Sequence, residues 1–304
     1  MEIQSAKPAS PRILIATDFS ETAAAALDWA AEIAAQQKAR LELVHAITLP
    51  PAMPEFAPQT GPDFTLELQK AARMRLDETA ATVRDRVPDL DTLLAPGTPS
   101  RVILDRAEES GAELIVVGTR GLSGLRHLLL GSTAERVVQR AHCPVLCVHP
   151  EDKGGHRPIR SILVPTDFSE DAELAINQAH AILAPLESHA KLTLVHAFSL
   201  PIEYTAYGPI PMSVHYLKDT GLEAERRLFE LEERLKKEGI TVETVAREGD
   251  PVTVIEEEAR KRNVDLIAMG TRGLTGVRHM FLGSTAERVV LHAPCPVLTV
   301  RRPS

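Results

Sequence analysis

Residues 118–138, GTRGLSGLRHLLLGSTAERVV, return at 270–290 as GTRGLTGVRHMFLGSTAERVV. Four conservative swaps separate the copies, so one structural unit occurs twice. The correspondence extends outward. Residues 12–21 match 160–170 with one insertion, 41–46 match 192–197, and 143–146 match 295–298. A period of about 150 residues duplicates whole domains; short stacked repeats would recur every 20–50. The chain has 304 residues, room for two domains. We expect a first domain over 1–150, a linker over 151–158 and a second domain over 159–304. The linker segment is polar and punctuated by Gly and Pro.

Short β-branched runs near 12–17, 41–47, 90–95, 113–118 and 144–149 alternate with helical patterns near 20–37, 64–87, 99–110 and 132–141. The run at 113–118 is continuously apolar, as in a strand covered on both faces. This alternation predicts an α/β fold of two tandem doubly wound domains, each with a parallel sheet and right-handed crossovers. In the second half a long helix near 213–238 should bury Leu217, Leu228, Leu231 and Leu235 on one face. Each half also has a Pro-rich loop after its second strand, at 49–58 and 200–211. These read as spacers or domain contacts, or alternatively as lids carrying Phe56 or Tyr207.

Bulk properties narrow the functions. Aromatic residues make up only 4%, so Ala, Val, Leu and Ile must fill the core. The net charge of −8 and the lack of a basic run argue against nucleic-acid binding. No apolar run reaches the roughly 18–20 residues of a membrane span. The first residues lack a secretory apolar block, which leads us to expect a cytoplasmic protein. Cys143, Cys147 and Cys295 suit buried, reduced thiols better than a disulfide framework or a zinc site.

The duplicated motif carries the chemistry. Its skeleton is Gly118-x2-Gly121-x9-Gly131-Ser132, repeated as Gly270-x2-Gly273-x9-Gly283-Ser284. Glycine at a strand end permits φ > 0 and leaves no Cβ to obstruct a ligand. Gly131-Ser132 stands where a helix starts, and Ser132 with Glu135, like Ser284 with Glu287, has the spacing of a capping box. The free N–H groups and dipole of that first turn favour a polyphosphate. The skeleton is neither a Walker A loop nor a dinucleotide fingerprint.

On these residues the chain resembles the universal stress protein family in its tandem form. That family's ATP-binding signature is Gly-x2-Gly-x9-Gly-[Ser/Thr]. The openings at 17–20 and 166–169 and the strand ends at 44–46 and 195–197 add to the likeness. The resemblance implies a five-stranded sheet in each domain with order 3-2-1-4-5, and ATP, with Mg²⁺, at its carboxyl edge. It implies that Asp18 and Asp167 hold the ribose and that the backbone of Ala46 and Ala197 reads adenine. Gly118, Gly121, Gly131, Ser132 and Thr133 would hold phosphates in one site, and Gly270, Gly273, Gly283, Ser284 and Thr285 in the other. The alternative for Asp18 and Asp167 is a turn or helix-cap role.

Other candidates have plainer roles. His45 and His196 read as strand-end residues bonded to backbone. His127 and His279 could reach phosphate or face solvent. Arg120 and Arg272 could lie over phosphates or make domain contacts. With no catalytic set legible beside the motif, the expected function is ATP-dependent regulation in a stress response, with little or no catalysis. A slow ATPase or adenylate-handling enzyme and a nucleotide-independent scaffold are the rivals. Besides the adenine nucleotide we expect a protein partner and a homodimer. The last strands, at 145–148 and 297–300, are edge strands that should pair between the two domains.

Overall fold

The computed structural model describes residues 10–48, 62–121, 130–152, 158–185, 190–198, 202–205, 208–211, 214–272 and 282–302. In the first half β1 (Arg12–Ala16), α1 (Glu21–Gln37), β2 (Arg40–Ile47), α2 (Pro62–Ala81), β3 (Leu90–Pro96), α3 (Pro99–Ser110), β4 (Leu114–Gly118), α4 (Ser132–Arg140) and β5 (Val145–Val148) alternate. The second half runs β6 (Ser161–Pro165), α5 (Glu170–Leu183), β7 (Lys191–Phe198), β8 (Ile202–Thr205), β9 (Gly208–Pro211), α6 (Val214–Lys237), β10 (Val242–Glu248), α7 (Pro251–Arg262), β11 (Leu266–Gly270), α8 (Ser284–His292) and β12 (Val297–Val300).

Each half forms a parallel sheet of order 3-2-1-4-5, and the halves join into one ten-stranded sheet, β10-β7-β6-β11-β12-β5-β4-β1-β2-β3. The expected seam is present. β5 and β12 pair antiparallel, with Cys147 opposite Val297 and Leu146 opposite Leu298. Alternation along the strands sorts side chains to the two faces. Ile13 and Ile15 enter the core under α1, whereas Leu14 enters the core under α3 and α4. Both cores draw residues from both halves, so burial is continuous through the seam.

Local signals set the helices. Ser20 caps α1 and Ser169 caps α5, each Oγ accepting an N–H three residues on. α3 and α7 open with Pro99 and Pro251, where a missing N–H costs nothing. Leu228, Leu231 and Leu235 of α6 are buried as their spacing predicts, while the side chain of Leu217 lies outside the described residues. Two expectations need correction. The helix foreseen over 64–87 ends at Ala81 and continues as turns to Arg86. The stretch foreseen as a loop at 200–211 contains the antiparallel hairpin β8–β9, with Ile202 opposite Pro211. Two strands pairing only with each other need no place in the main sheet, so Pro209 and Pro211 are tolerated there. The loop at 49–58, with Phe56, and Tyr207 lie outside the described residues. No described helix is long and apolar enough to cross a membrane.

Candidate functional site

The site begins at the carboxyl end of β1. Thr17 Oγ1 accepts the Phe19 N–H at 3.0 Å, Asp18 Oδ1 accepts the Ser20 N–H at 3.0 Å, and Ser20 Oγ accepts the Ala23 N–H at 3.1 Å. These three bonds hold Phe19 in the left-handed region, with φ of 64°. The second half repeats the turn through Thr166, Asp167 and Ser169, and Phe168 has the same φ. Short polar side chains bonding to nearby amides explain how a bulky residue is kept there. Asp18 and Asp167 therefore have the turn role that the sequence allowed.

β2 and β7 bring the histidines against these turns. His45 Nδ1 lies 2.7 Å from Thr17 O, and His196 Nδ1 lies 2.7 Å from Thr166 O. A carbonyl only accepts, so Nδ1 carries the proton. The rings lie 4.3 Å from Phe19 and 4.6 Å from Phe168. Arg75 and Arg227 lie over those phenyl rings, 4.8 and 4.1 Å from their centroids. Both histidines are thus strand-end residues bonded to backbone, as expected.

The motif glycines come next. Gly131 donates its N–H to Thr119 O at 2.8 Å, and Gly283 donates to Thr271 O at the same distance. Here the capping-box expectation fails. Gly131 and Gly283 are themselves the N-caps, Ser132 and Ser284 are the first residues inside the helices, and neither helix has a side-chain cap. The chain enters α4 one residue earlier than the Ser–Glu spacing suggested, so the first-turn amides face out uncapped. The φ expectation also fails, since none of Gly118, Gly121, Gly131, Gly270 and Gly283 has positive φ. A Cβ on Gly118 would stand 2.8 Å from Thr22 Cγ2, so this glycine permits close approach of β4 to α1. A Cβ on Gly121 would stand 2.5 Å from Asp18 Oδ2, inside the site.

Asp18, Ala46, Gly118, Gly121, Gly131, Ser132 and Thr133 line one cavity of about 330 Å³. Asp167, Ala197, Gly270, Gly283, Ser284 and Thr285 line a second of about 240 Å³. Gly273, His127 and His279 lie outside the described residues. Each cavity opens between the first and fourth strands of its half, where neighbouring crossovers leave in opposite directions and a doubly wound sheet forms its crevice. Sequence reasoning missed the apolar wall formed by Pro99 and Ile103 in one cavity and Pro251 and Ile255 in the other. The signal was available, because Gly97-x-Pro99-x-x-Val102-Ile103 recurs as Gly249-x-Pro251-x-x-Val254-Ile255. Gly97 and Gly249 have φ of 141° and 147°, which only glycine tolerates readily where β3 and β10 turn into these helices. Arg120 and Arg272 also line the cavities. Burial pushes the thiols of Cys143 and Cys147 up to about 12 and raises that of Cys295, so all three stay protonated near neutrality.

Fold and site together define a tandem doubly wound α/β protein with a glycine-lined crevice in each half. The chain belongs to the universal stress protein family, whose model matches residues 10–149 and again residues 158–301. A universal stress protein of Mycolicibacterium smegmatis is 29% identical over 297 residues, covering 95% of this chain and 96% of the relative. One from Methanocaldococcus jannaschii is 34% identical over 151 residues, covering 50% of this chain and 87% of its own length. The crystal structure of a universal stress protein from Archaeoglobus fulgidus shares the fold. Its TM-score is 0.73 at 23% identity, covering 96% of this chain and 98% of that one.

Proposed function

We propose that each pocket binds an adenine nucleotide, ATP with Mg²⁺, and that the protein is a nucleotide-dependent regulator with little or no catalysis. One observation carries this reading. Seven residues from four separate segments of the first half line a single cavity at the start of an uncapped helix. Such a helix start presents partial positive charge and free N–H donors to a phosphate. Val44, Pro99 and Ile103 offer the apolar wall a base requires, and Asp18 offers an acceptor for ribose hydroxyls. Among the described residues no cluster of three His, Cys, Asp or Glu forms a metal cage. Mg²⁺ would therefore ride on phosphate oxygens, with at most one carboxylate, Asp18 or Asp167, as its protein partner.

Binding without turnover is the part of this proposal that rests on how the acids and bases are tied. Among the described residues, the titratable groups lining the first pocket apart from Arg120 are Asp18 and His45, and both are bonded into the Thr17–Ser20 turn. Groups held this way support positioning more than proton transfer. Domain limits near 150 and 159, a cytoplasmic setting, a second chain and a protein partner belong to the same proposal.

Native mass spectrometry and thermal unfolding with and without Mg–ATP test it. Two nucleotides per chain are expected, with a stabilisation of about 2.7 kcal/mol at a hundredfold excess over Kd. Flat titrations with ATP, ADP and AMP would leave only a scaffold.

A further inference from the structure

The two pockets share their glycines but differ in their donors. In the first, Thr119 Oγ1 donates to Val148 O at 3.2 Å, and Arg120 Nη1 bonds Glu151 Oε1 at 3.2 Å. In the second, the counterpart Thr271 is 2% exposed and lines the pocket, yet its Oγ1 has no hydrogen-bond partner. Arg272 Nε is also buried and unpartnered at the same wall. The residue corresponding to Glu151 in the second half is Pro303, which has no carboxylate to offer.

Buried polar groups normally find partners, and two orphans side by side need an explanation. An arginine Nε–H can only donate, and a threonine hydroxyl donates readily. Beside them α8 begins without a side-chain cap. Arg301 adds a guanidinium close enough to act on the charge of Arg272. Negative charge is also present: Asp167 lines the pocket, and behind Gly270 Asp171 has its Oδ1 taken by Arg302 Nε at 2.9 Å and its Oδ2 buried without a partner. Beside these carboxylates, Thr271, Arg272 and the uncapped start of α8 form a set of donors that matches a ligand rich in acceptor oxygens.

We propose that the pockets are unequal: the second is the standing polyphosphate site, read by Arg272 and Thr271, and the first is held back by Glu151, which occupies Arg120 until a phosphate displaces it. The nucleotide identity rests on the function proposed above, whereas the inequality rests on the donor sets alone. Glu151 is 70% exposed, so its competition is modest, and it weakens with salt.

Calorimetric titration of the full chain with Mg–ATP, and separately with inorganic tripolyphosphate, tests the proposal. The wild type should show two classes of site at least about five-fold apart. Arg272→Gln should weaken the tight class by roughly ten-fold, the scale of one charge-assisted phosphate contact. Glu151→Gln should tighten the weak class by roughly two- to five-fold and leave the tight class unmoved. Arg120→Gln should weaken only the weak class. Two equal sites in the wild type, or a weak class indifferent to Glu151→Gln, overturns the inequality. Tripolyphosphate binding that follows Arg272 without any response to ATP keeps the inequality and removes the adenine reading. ATP binding equally at both pockets does the reverse, and no binding of either probe removes both.

Discussion

A methyl group added at Gly270 would stand 2.8 Å from both the carbonyl carbon and the Cβ of Asp171. At Gly118 the nearest atom is a threonine methyl at 2.8 Å, with backbone at 3.3 Å. Backbone cannot yield without moving α5, whereas a methyl can shift. Gly270→Ala should therefore cost about 1–3 kcal/mol of stability, and more than Gly118→Ala. Differential scanning calorimetry checks the order, and equal small losses would refute this packing role. Such substitutions cannot separate ligand binding from folding. Gly121→Ala, whose methyl group meets the Asp18 carboxylate among the described residues, is the cleaner probe of the first pocket. The sequence made these glycines conspicuous but not their reason. The left-handed backbone that it led us to expect at Gly118 occurs instead at Phe19, where the Thr17, Asp18 and Ser20 side chains impose it.

At the level of elements, the residue after each last strand caps a helix of the other half. His149 Nε2 lies 2.6 Å from Val290 O near the end of α8, and Arg301 donates to Gln139 O near the end of α4. The arginine is always charged, but the histidine is not. Burial works to lower the His149 pKa. It is outweighed by Asp152, whose carboxylate lies 3.0 Å from Nδ1, and by the Val290 carbonyl, so the net shift is upward despite repulsion from Arg120. A raised pKa means that the stabilisation is complete below the unfolded value of about 6.5 and is lost as pH rises through the higher folded value. Thermal unfolding should show stability falling across that window in the wild type and a flatter profile in His149→Gln. Identical profiles would show that the imidazolium contributes nothing. Element positions and types were largely legible because caps and periodicity are local. The contact of His149 with Val290 was not, because the two lie 141 residues apart along the chain.

The molecule as a whole behaves as one sheet. Leu298 and Leu146 face each other across the β5–β12 seam at 1% and 0% exposure, between cores shared by both halves. Leu298→Ala should lower global stability by about 2–5 kcal/mol while keeping a single calorimetric transition. Two transitions, with only one displaced, would show that the halves unfold separately. By itself the sequence determined the duplication and the α/β alternation, since both are written in spacing and repeated identity. Only the tertiary structure decided that Gly131 caps its helix in place of Ser132, that Pro99 and Ile103 wall the pocket, and that Arg120 is engaged while Arg272 is not. Those outcomes depend on which distant groups arrive within a few ångströms, and near-identical motifs acquire different neighbours once each is packed into its own half.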